Sequence, residues 1–379
     1  MRKILYVSGT RADYGLMKHT LKRISDSPKF MLDIIATGMH LMEDFGHSID
    51  EIKKDGFKVH EINAVYEGDS KESMSIFIGE FIQKATKTIS EIRPDIIIVL
   101  GDRAEMLGAA IIGAYLSIPV AHLHGGEISS TVDEAVRHSI TKLAHIHLPA
   151  TKRSAERIKK MGEDEWRINV VGAPGLDYIM NHKILDKTYI ERLFDIDLDK
   201  PCVLVLQHPV TMENESADSQ MKETLNALKE LGVQTIIVYP NADAGGRKMI
   251  NAIKKYENVP YFKIYKNIRH EHFISLMSFA SVMAGNSSSG IIEAPSFGLP
   301  VVNIGTRQDG RERAGNIIDA GYNKEAIKEA IKRAMSENFI KKAKRCKNPY
   351  GDGRSSERII KILSEIKIDE KLLQKRLGY

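Results

Sequence analysis

The chain has 379 residues, of which 42% are hydrophobic and 28% charged, and its formal net charge is +5. This length exceeds what one hydrophobic core normally organises, so it suggests about two domains. The composition is that of an ordinary globular protein. No apolar run approaches the roughly 20 residues of a membrane helix, which excludes an integral membrane protein and predicts no membrane partner.

The cysteines and the charge pattern narrow the class of protein further. Cys202 and Cys346 form no CxxC pair, and the opening MRKILYVSGTRADYG has an apolar run too short for a secretory signal. We therefore expect a reduced, cytoplasmic environment. Basic residues alternate with acidic ones, as in KEAIKEAIKRAMSENF, which is typical of a solvated helix and not of a nucleic-acid surface. A small anionic ligand agrees with the mild positive charge.

Short apolar, β-branched runs recur along the chain and predict the strands. They are KILYV (3–7), MLDIIA (31–36), DIIIVL (95–100), IPVAHL (118–123), HIHLP (145–149), INVVG (168–172), PCVLVL (201–206), VQTIIVY (233–239), YFKIY (261–265), ASVMAG (280–285) and LPVVNIG (299–305). Runs that are apolar on both faces, separated by amphipathic stretches, are typical of parallel strands in βαβ units. The sequence therefore predicts an α/β protein with two doubly wound, Rossmann-like domains, which we place at residues 1–180 and 181–356.

Polar, glycine-bearing segments follow nearly every predicted strand. In chain order they are SGTRADYG, TGMH, GDRAE, HGGEISS, QHP, PNADAGG, GNSSSG and GTRQDGR. Ligands of doubly wound sheets bind at the carboxyl ends of the strands. We therefore look for the chemistry of the protein in these segments.

The segment GNSSSGIIEAPSFGLPVVNIG (285–305) fits a phosphate site. A helix is predicted to open near Ser288, and its free backbone amides and dipole favour an anion. The hydroxyls of Ser287, Ser288 and Ser289 add donors. Glu293 could accept bonds from two ribose hydroxyls. The alternative is a serine N-cap with a solvated glutamate. No Walker A loop and no GxGxxG follows a strand, so we expect no nicotinamide and no other cofactor.

The next segment, GTRQDGRERAG (305–315), carries three arginines. Arg307, Arg311 and Arg313 are expected at the same rim as the serines, where guanidinium groups would make forked contacts with a diphosphate. The alternative is a solvated basic loop.

The segment AHLHGGEISSTVDEAVRHSITK (121–142) predicts a helix with ionisable groups at its start. Thr131 and Glu134 have the spacing of a capping box, which gives Glu134 a structural explanation. Asp133, in the opening turn near the positive end of the dipole, and Glu127, in the loop before it, have no such explanation. The expected inward face of the helix is Val132, Val136, Ile140 and Leu143.

Histidines are frequent in the same region, but their spacing does not predict a metal site. There is no HExxH pattern among His122, His124, His138, His145 and His147. Packing within the core explains most of them equally well. His124 comes last before Gly125 and Gly126, at the carboxyl end of a strand, which favours a functional role, and the two glycines would let a ligand approach the backbone.

Asp102 and Arg103 end another predicted strand. A carboxylate beside an arginine can act as an acid–base group that its neighbour keeps ionised. The alternative is an N-cap for the following helix.

The segments discussed above lie in a fixed order along the chain: SGTRADYG, TGMH, LGDRAE, HGGEISSTVDEAVRHSITKLAHIHL, QHPVT, YPNADAGG, GNSSSGIIEAPS and NIGTRQDGRERA. Taken together, they resemble the motifs of the hydrolysing UDP-N-acetylglucosamine 2-epimerase family. The resemblance runs from about residue 3 to 320. Two differences from the non-hydrolysing relatives favour the hydrolysing branch. This chain has GDR where those relatives usually have GDT, and HGGE where they have an EAGLR-type segment. The resemblance implies a two-domain fold of the glycosyltransferase-B type, with a C-terminal helix, residues 357–379, that crosses back to the first domain.

The resemblance also implies roles for individual residues. Acid–base roles fall to Asp102 and Asp133. His124 stands where several members carry a glutamate, so His124 or Glu127 could substitute for it. The residues expected around the UDP moiety and the sugar diphosphate are Ser287, Ser288, Glu293, Arg307, His208, Asn241, Phe273, Arg11 and Arg103.

The implied reaction converts UDP-N-acetylglucosamine and water to N-acetylmannosamine and UDP, by elimination to 2-acetamidoglucal and rehydration, for sialic acid synthesis. It needs no cofactor, and the family usually forms dimers or larger assemblies, so we expect a homodimer or homotetramer. One alternative is the same reaction on UDP-2,4-diacetamido-2,4,6-trideoxyglucose, for legionaminic acid synthesis. Others are a glycosyltransferase of the same fold and a UDP-sugar-binding regulator without catalysis.

Overall fold

The computed structural model of the protein describes residues 1–68, 70–129 and 132–376. Its strands are β1 (Arg2–Ser8), β2 (Phe30–Ala36), β3 (Lys58–Glu61), β4 (Ile96–Leu100), β5 (Val120–Leu123), β6 (Ile146–Leu148), β7 (Cys202–Leu206), β8 (Gln234–Val238), β9 (Phe262–Tyr265), β10 (Val282–Gly285), β11 (Val301–Ile304) and β12 (Ile317–Ala320). Its helices are α1 (Arg11–Ser25), α2 (Ile49–Lys54), α3 (Lys71–Ile92), α4 (Ala104–Tyr115), α5 (Val132–Leu143), α6 (Lys152–Lys160), α7 (Pro174–Asn181), α8 (Lys187–Phe194), α9 (Ala217–Leu231), α10 (Gly246–Lys254), α11 (His270–Phe279), α12 (Ser289–Ile292), α13 (Lys324–Ala334), α14 (Glu337–Lys344), α15 (Ser355–Glu365) and α16 (Glu370–Leu373). Short 3₁₀ helices lie at Gly38–Leu41, Glu43–Phe45, Glu165–Arg167, Thr211–Ser216 and Ala294–Phe297.

The strands form two parallel sheets of the same topology. The first has the order β3-β2-β1-β4-β5-β6 and the second the order β12-β11-β10-β7-β8-β9. In each sheet the strand order reverses beside the first strand, between β1 and β4 and between β7 and β10. Such a reversal opens a crevice at the carboxyl ends of the strands, where doubly wound folds bind ligands. The predicted pair of doubly wound sheets is confirmed.

Both faces of each sheet are buried, which explains the apolar runs. In β1, Leu5 and Val7 pack into one core cluster, and Ile4 and Tyr6 pack into another on the opposite face. A strand covered by helices on both sides needs apolar residues at every position and shows no alternation.

Most of the predicted strands are confirmed, and the errors lie at the edges. INVVG (168–172) is not a strand: Ile168 makes one isolated bridge to His147, and Val170 is 42% exposed. The edge strands β3 and β12 were not predicted. Their sequences, KVHE and IIDA, carry charges on solvent-facing positions and lack a long apolar run.

α15 and α16, the last two helices of the described residues, pack back onto the first sheet. α15 packs against α1 and α7, and its Ile359 and Leu363 join the core cluster that contains Ile4 and Tyr6 of the first sheet. The domain limits at 180 and 356 remain a prediction. Within the described ranges, no helix combines the length and apolar character that a bilayer span requires.

Candidate active site

Loops at the carboxyl edges of the two sheets line one cleft between them. Met39 and His124 come from loops of the first sheet, and His208 and Ser288 come from loops of the second. The predicted site residues that line this cleft are Arg11, Asp102, Arg103, His124, Glu127, His208, Asn241, Phe273, Ser287, Ser288, Glu293 and Arg307. The segments expected to carry the chemistry therefore meet, although they are up to about 300 positions apart in the sequence.

The serine loop lies on the second-sheet side of the cleft. Ser287, Ser288 and Ser289 all line it, and the amide of Ser289 donates to Oγ of Ser287 at 3.3 Å. The helix predicted to open here is much shorter than expected, because α12 has four residues and a 3₁₀ helix follows it. A dipole grows with aligned peptide units, so hydroxyls and local amides, more than a helix dipole, are the donors this loop offers.

Glu293 follows α12 and is buried, with 2% of its surface exposed. The alternative of a solvated glutamate is therefore wrong. Burial raises the pKa of the Glu293 carboxyl to about 7, although Ser289 hydrogen bonds to it and lowers the pKa in part. Gly175 of α7 gives it room, since a Cβ there would lie 3.1 Å from Oε1 of Glu293. A buried carboxyl at the cleft wall can accept two neighbouring hydroxyl groups of a ligand.

Of the three arginines in the segment 305–315, the arginine loop, two line the cleft and the third does not. Arg307 and Arg311 line the cleft, which contradicts the alternative of a solvated basic loop. Arg313 does not face this rim, and that part of the prediction is wrong. Its guanidinium pairs with Asp319 at 2.5 Å and with Asp309 at 3.6 Å.

Asn286 belongs to the serine loop and bonds to both the arginine loop and the loop that carries His208. It is a residue that the sequence did not predict. Its Oδ1 accepts the amide of His208 at 2.7 Å, and its Nδ2 donates to the carbonyl of His208 at 2.9 Å. Its own carbonyl accepts Arg307 at 3.2 Å and Gln308 at 2.7 Å. Its position directly after β10 was the available signal.

His208 is held as a neutral ring with a defined tautomer. Burial lowers its pKa well below the usual value, and the charges of Arg307 and Arg103 lower it further. Nδ1 accepts the amide of Asn241 at 3.1 Å. The hydrogen of the neutral ring is therefore on Nε2. The Asn241 side chain is fixed in turn by Asp243, to which its Nδ2 donates at 2.5 Å.

Asp102 lies on the first-sheet side and forms an ion pair with Arg137 of α5. The prediction that Arg103 is its partner is wrong. Burial alone would raise the pKa of the Asp102 carboxyl, but Arg137, Arg311 and Arg307 hold it below the usual value. The alternative of an N-cap is also wrong, because the N-cap of α4 is Arg103.

Arg103 is occupied elsewhere on the cleft wall. Its Nε pairs with Oε1 of the buried Glu105 at 2.6 Å, and Nη2 donates to the hydroxyl of Tyr66 at 3.4 Å. Gly9 of the first loop packs directly against Glu105, where any Cβ would overlap the carboxylate. Arg11 also has a protein partner, since its Nε lies 3.0 Å from Oε2 of Glu51.

Arg137 is the main residue that the sequence analysis missed in the acid–base half. It is 1% exposed, and besides Asp102 it binds the carbonyl of Glu127 at 2.9 Å and Oγ of Ser129 at 3.2 Å. The expected inward face of α5 was wrong at its start, where Val132 is 39% exposed. An arginine on an amphipathic helix is usually solvated, so the sequence gives no signal that this one is buried.

The start of α5 matches the prediction only in part. Thr131 of the expected capping box lies outside the described residues. Oε2 of Glu134 accepts the amide of Ser129 at 2.8 Å, so Glu134 does have a structural role. Asp133 does not line the cleft itself, but its Oδ2 lies 3.8 Å from Nη2 of Arg307, which does.

His124 and Glu127 form a buried pair that reaches the second sheet. Nδ1 of His124 lies 2.6 Å from Oε1 of Glu127, and Oε2 of Glu127 lies 2.7 Å from Nη2 of Arg311. Burial would raise the pKa of the Glu127 carboxyl, but Arg311 and His124 lower it to about 2. His124 has a left-handed backbone with φ +59, which is uncommon for a residue with a side chain.

The two glycines after His124 make room for protein and not for a ligand, so that prediction is wrong. A Cβ on Gly125 would lie 2.9 Å from Nδ1 of His122, and one on Gly126 would overlap the carbonyl of Ser154. These glycines let α5 and α6 approach the turn that follows β5 and carries His124.

The other histidines of this region have separate protein partners. Nε2 of His122 lies 2.7 Å from the carbonyl of Gly101, and Nε2 of His147 lies 2.9 Å from Oε2 of Glu163. Within the described ranges, the one acidic or histidine cluster close enough for a metal is Glu191, Asp197 and Asp199. Lys187 and Lys200 pair with these carboxylates outside the cleft.

The cleft therefore has two chemically different walls. One offers hydroxyls, a neutral imidazole N–H and guanidinium groups to an anion. The other holds carboxylates and an imidazole that can accept or donate protons. This arrangement suits a reaction in which an anionic group leaves while hydrogen moves at a nearby atom.

Several proteins are similar to this chain along most of its length. The profile of a family described as UDP-N-acetylglucosamine 2-epimerase matches residues 22–364. A UDP-N,N'-diacetylbacillosamine 2-epimerase (hydrolyzing) of Legionella pneumophila is 43% identical over 380 aligned positions, which cover 100% of both chains. A UDP-N-acetylglucosamine 2-epimerase of Neisseria meningitidis is 35% identical over 89% of this chain and 88% of its own.

Solved structures share the fold at lower identity. UDP-GlcNAc 2-epimerase from Methanocaldococcus jannaschii, in complex with UDP-GlcNAc and UDP, superposes with a TM-score of 0.80 at 21% identity, over 96% of this chain and 99% of its own. The enzyme from Neisseria meningitidis bound to UDP-GlcNAc gives 0.79 at 20% identity, over 95% and 99%. The two sheets thus form a fold of the glycosyltransferase-B type. The chain belongs to the UDP-N-acetylglucosamine 2-epimerase family and is an enzyme of its hydrolysing type.

Proposed function

We propose that the protein hydrolyses UDP-2,4-diacetamido-2,4,6-trideoxyglucose, that is UDP-N,N'-diacetylbacillosamine, with inversion at C2 of the sugar. The products are UDP and 2,4-diacetamido-2,4,6-trideoxymannose, a precursor for legionaminic acid. The observation that carries this choice is the 43% identity, along the whole of both chains, to a Legionella enzyme with that name. UDP-N-acetylglucosamine, the first expectation from the sequence, becomes the second candidate on the strength of the 35% identical Neisseria relative.

The second-sheet wall would bind the nucleotide and stabilise the leaving group. Ser287, Ser288 and Arg307 would contact the diphosphate, and Glu293 would accept the ribose hydroxyls. His208 would donate its Nε2 hydrogen to a phosphate oxygen, and Asn241 and Phe273 would surround the base. Charge develops on UDP as the C1–O bond breaks, so donors fixed before the reaction lower the barrier.

The first-sheet wall would move the proton. The hydrogen at C2 is not acidic, because no carbonyl adjoins it, so its removal accompanies the loss of UDP from C1. Asp102 is kept ionised by Arg137, which supports its role as the acceptor of this proton. The product of this step is a glycal with a C1–C2 double bond.

The second step needs a proton donor on the opposite face of the sugar. Water adds at C1 and a proton adds to C2. A carboxyl of low pKa is a poor donor, whereas an imidazole backed by a carboxylate is a good one. The contact of His124 with Glu127 at 2.6 Å supports His124 as this donor. Arg11 and Arg103 line the cleft and would contact the sugar diphosphate with nitrogens other than the Nε atoms that pair with Glu51 and Glu105. Asp133 would orient Arg307 beside it.

Nuclear magnetic resonance of the purified protein with each nucleotide sugar in separate tubes tests the proposal. We expect free UDP and a free sugar of manno configuration, without any acceptor, and a higher kcat/KM for the 2,4-diacetamido substrate. In deuterated water the product should carry deuterium at C2. A higher kcat/KM for UDP-N-acetylglucosamine would select the second candidate, and a product that keeps its original C2 hydrogen would exclude the mechanism.

We also propose that the protein assembles as a homodimer or homotetramer. Light scattering coupled to size exclusion measures the mass directly. The mass of a single chain, 42.5 kDa, at micromolar concentration would contradict this.

A further inference from the structure

The last described segment of the chain returns to the acid–base half and is fixed there. Leu372 of α16 is buried in the core cluster of the first sheet. Arg167, itself buried, donates to the carbonyl of Leu372 at 2.8 Å and to that of Lys371 at 2.8 Å. Backbone carbonyls bound by a buried arginine define the path of a segment closely, so the residues just after α16 have a fixed position.

Lys375 uses that position to bind the end of α5. Its ammonium group donates to the carbonyls of Thr141, Lys142 and Ala144 at 2.9, 2.7 and 2.7 Å. The last carbonyls of a helix have no partner within it and form the negative end of its dipole. Thr141 and Lys142 belong to the last turn of α5 and Ala144 follows it directly, so Lys375 binds the end of this helix from more than 230 positions away in the sequence.

The surroundings of Lys375 show that the ammonium is built into the fold. Its side chain is 14% exposed, and Oε2 of the buried Glu163 lies 2.7 Å from Nζ. Glu163 also binds Lys142 at 2.6 Å and His147 at 2.9 Å. A lysine is seldom buried unless its charge is paired.

A short chain of contacts joins this cap to the acid–base groups. Thr141, whose carbonyl binds Lys375, donates its hydroxyl to the carbonyl of Arg137 one turn earlier, at 3.0 Å. The same hydroxyl lies 3.2 Å from Nδ1 of His122, whose Nε2 lies 2.7 Å from the carbonyl of Gly101. Thr141 therefore contacts Arg137 of the Asp102–Arg137 ion pair directly, and it reaches Gly101, which precedes Asp102, through His122.

We propose that Lys375 is a positioning residue for the reaction: by capping α5 it holds Arg137 in register against Asp102. This rests on the proposed function, since the effect is read through turnover. Lys375 itself touches no reacting atom. Its loss would let the last turn of α5 fray, and the frayed turn would loosen the guanidinium that keeps Asp102 ionised.

The test compares Lys375→Met with two matched variants in the full chain. Lys375→Arg keeps a charged donor, and Lys371→Met removes an exposed lysine of the same segment, whose ammonium lies 4.8 Å above the ring of Trp166. We expect kcat to fall about tenfold in Lys375→Met, with KM and the Kd of UDP within about twofold. Lys375→Arg should lose no more than about threefold, and Lys371→Met should equal the wild type.

The pH dependence of kcat distinguishes positioning from general destabilisation, because its acidic limb reports the pKa of the proton acceptor in the enzyme–substrate complex. Asp102 faces the positive charges of Arg137, Arg307 and Arg311, so a looser Arg137 raises its pKa. The limb should move up by about one pH unit in Lys375→Met. Lys375→Met also raises the pKa of Glu163, which Lys375 helps to lower. Glu163 and its neighbours Lys142 and Arg167 lie outside the residues that line the cleft, so a shift of the limb reports on Asp102.

A folded Lys375→Met with wild-type kcat, or an equal loss in Lys371→Met, would overturn the proposal. If Lys375→Met does not fold, Thr141→Val decides, because it removes the hydroxyl link and leaves the cap in place. An unmoved acidic limb in Thr141→Val would then exclude the inferred route. Failure of the wild type to release UDP from either nucleotide sugar is a different result, and it would remove the proposed function instead.

Discussion

The two walls of the cleft are built in different ways. On the second-sheet wall, Asn286 fixes His208 and Arg307 through hydrogen bonds between loops of one sheet. On the first-sheet wall, the groups are held by ion pairs with distant partners: Asp102 with Arg137, and Glu127 with Arg311 of the other sheet. The nucleotide binding that we propose therefore depends on one half of the molecule, whereas the proposed acid–base chemistry requires both.

The first prediction removes the charge of the acid–base wall. Asp102→Asn has nearly the same shape but cannot accept the C2 proton, so we expect kcat to fall roughly 10³-fold. Because Asp102 belongs to the opposite wall, calorimetry should show a Kd for UDP within about twofold of the wild type. Comparable losses of turnover and of UDP affinity would mean that the two walls are not independent.

The second prediction breaks the pair that joins the walls. Arg311→Met removes the arginine partner of the buried Glu127 and leaves it only His124 among the partners described above. Loss of one partner of a buried charge pair costs about 2–5 kcal/mol. We expect kcat/KM to fall at least about 30-fold. Arg313→Met is the matched control, since Arg313 pairs only with Asp309 and Asp319 among acidic groups of the described residues. Similar kcat/KM values in the two variants would contradict a joining role for Arg311.

The third prediction weakens the nucleotide wall alone. Arg307→Ala removes a charged donor worth about 1.5–3 kcal/mol, and Ser288→Ala removes a neutral one worth about 1 kcal/mol. The Kd of UDP should rise at least about tenfold in the first and about fivefold in the second. Calorimetric titration with UDP measures both, and an unchanged Kd in Arg307→Ala would exclude the assigned phosphate contact.

The smallest effect concerns Glu293, a buried carboxyl of the nucleotide wall. Burial raises the pKa of Glu293 to about 7, so the folded protein binds its proton more tightly than the unfolded chain does. The stability that this proton contributes is complete at acidic pH and is lost as the pH rises through 7. Thermal melts without ligand should therefore show Glu293→Gln gaining on the wild type between pH 6 and pH 8. A constant difference in Tm would contradict the raised pKa.

The sequence predicted the features that depend on local patterns. Strands such as β4, IIIVL, are apolar at every position because helices cover both faces of the sheet, and such runs are visible without any three-dimensional information. β3, KVHE, pairs on one side only and carries charges, so it resembles a loop. INVVG (168–172) has the β-branched residues of a strand, but no neighbouring strand pairs with it beyond one bridge.

The candidate site was predictable to the same extent. Residues at the carboxyl ends of strands, such as Asp102 and Ser288, could be found because the fold brings those ends together. Arg137 could not be found in this way, because it acts only through contacts that the folded chain creates. Asn286 directly follows β10, but nothing in the sequence shows its hydrogen bonds to His208. Arg103 illustrates the limit: it follows Asp102 directly, yet it points to Glu105.

The contact between Glu127 and Arg311 has a consequence for the speed of the catalytic cycle. When product leaves through an opening cleft, both ions must regain their hydration shells, and dissolved salt stabilises them once they are apart. If that opening limits the cycle, moderate ionic strength should accelerate turnover at saturating substrate. At higher salt concentrations the dissolved ions also weaken the attraction between the arginines and the diphosphate, so the rate should pass through a maximum.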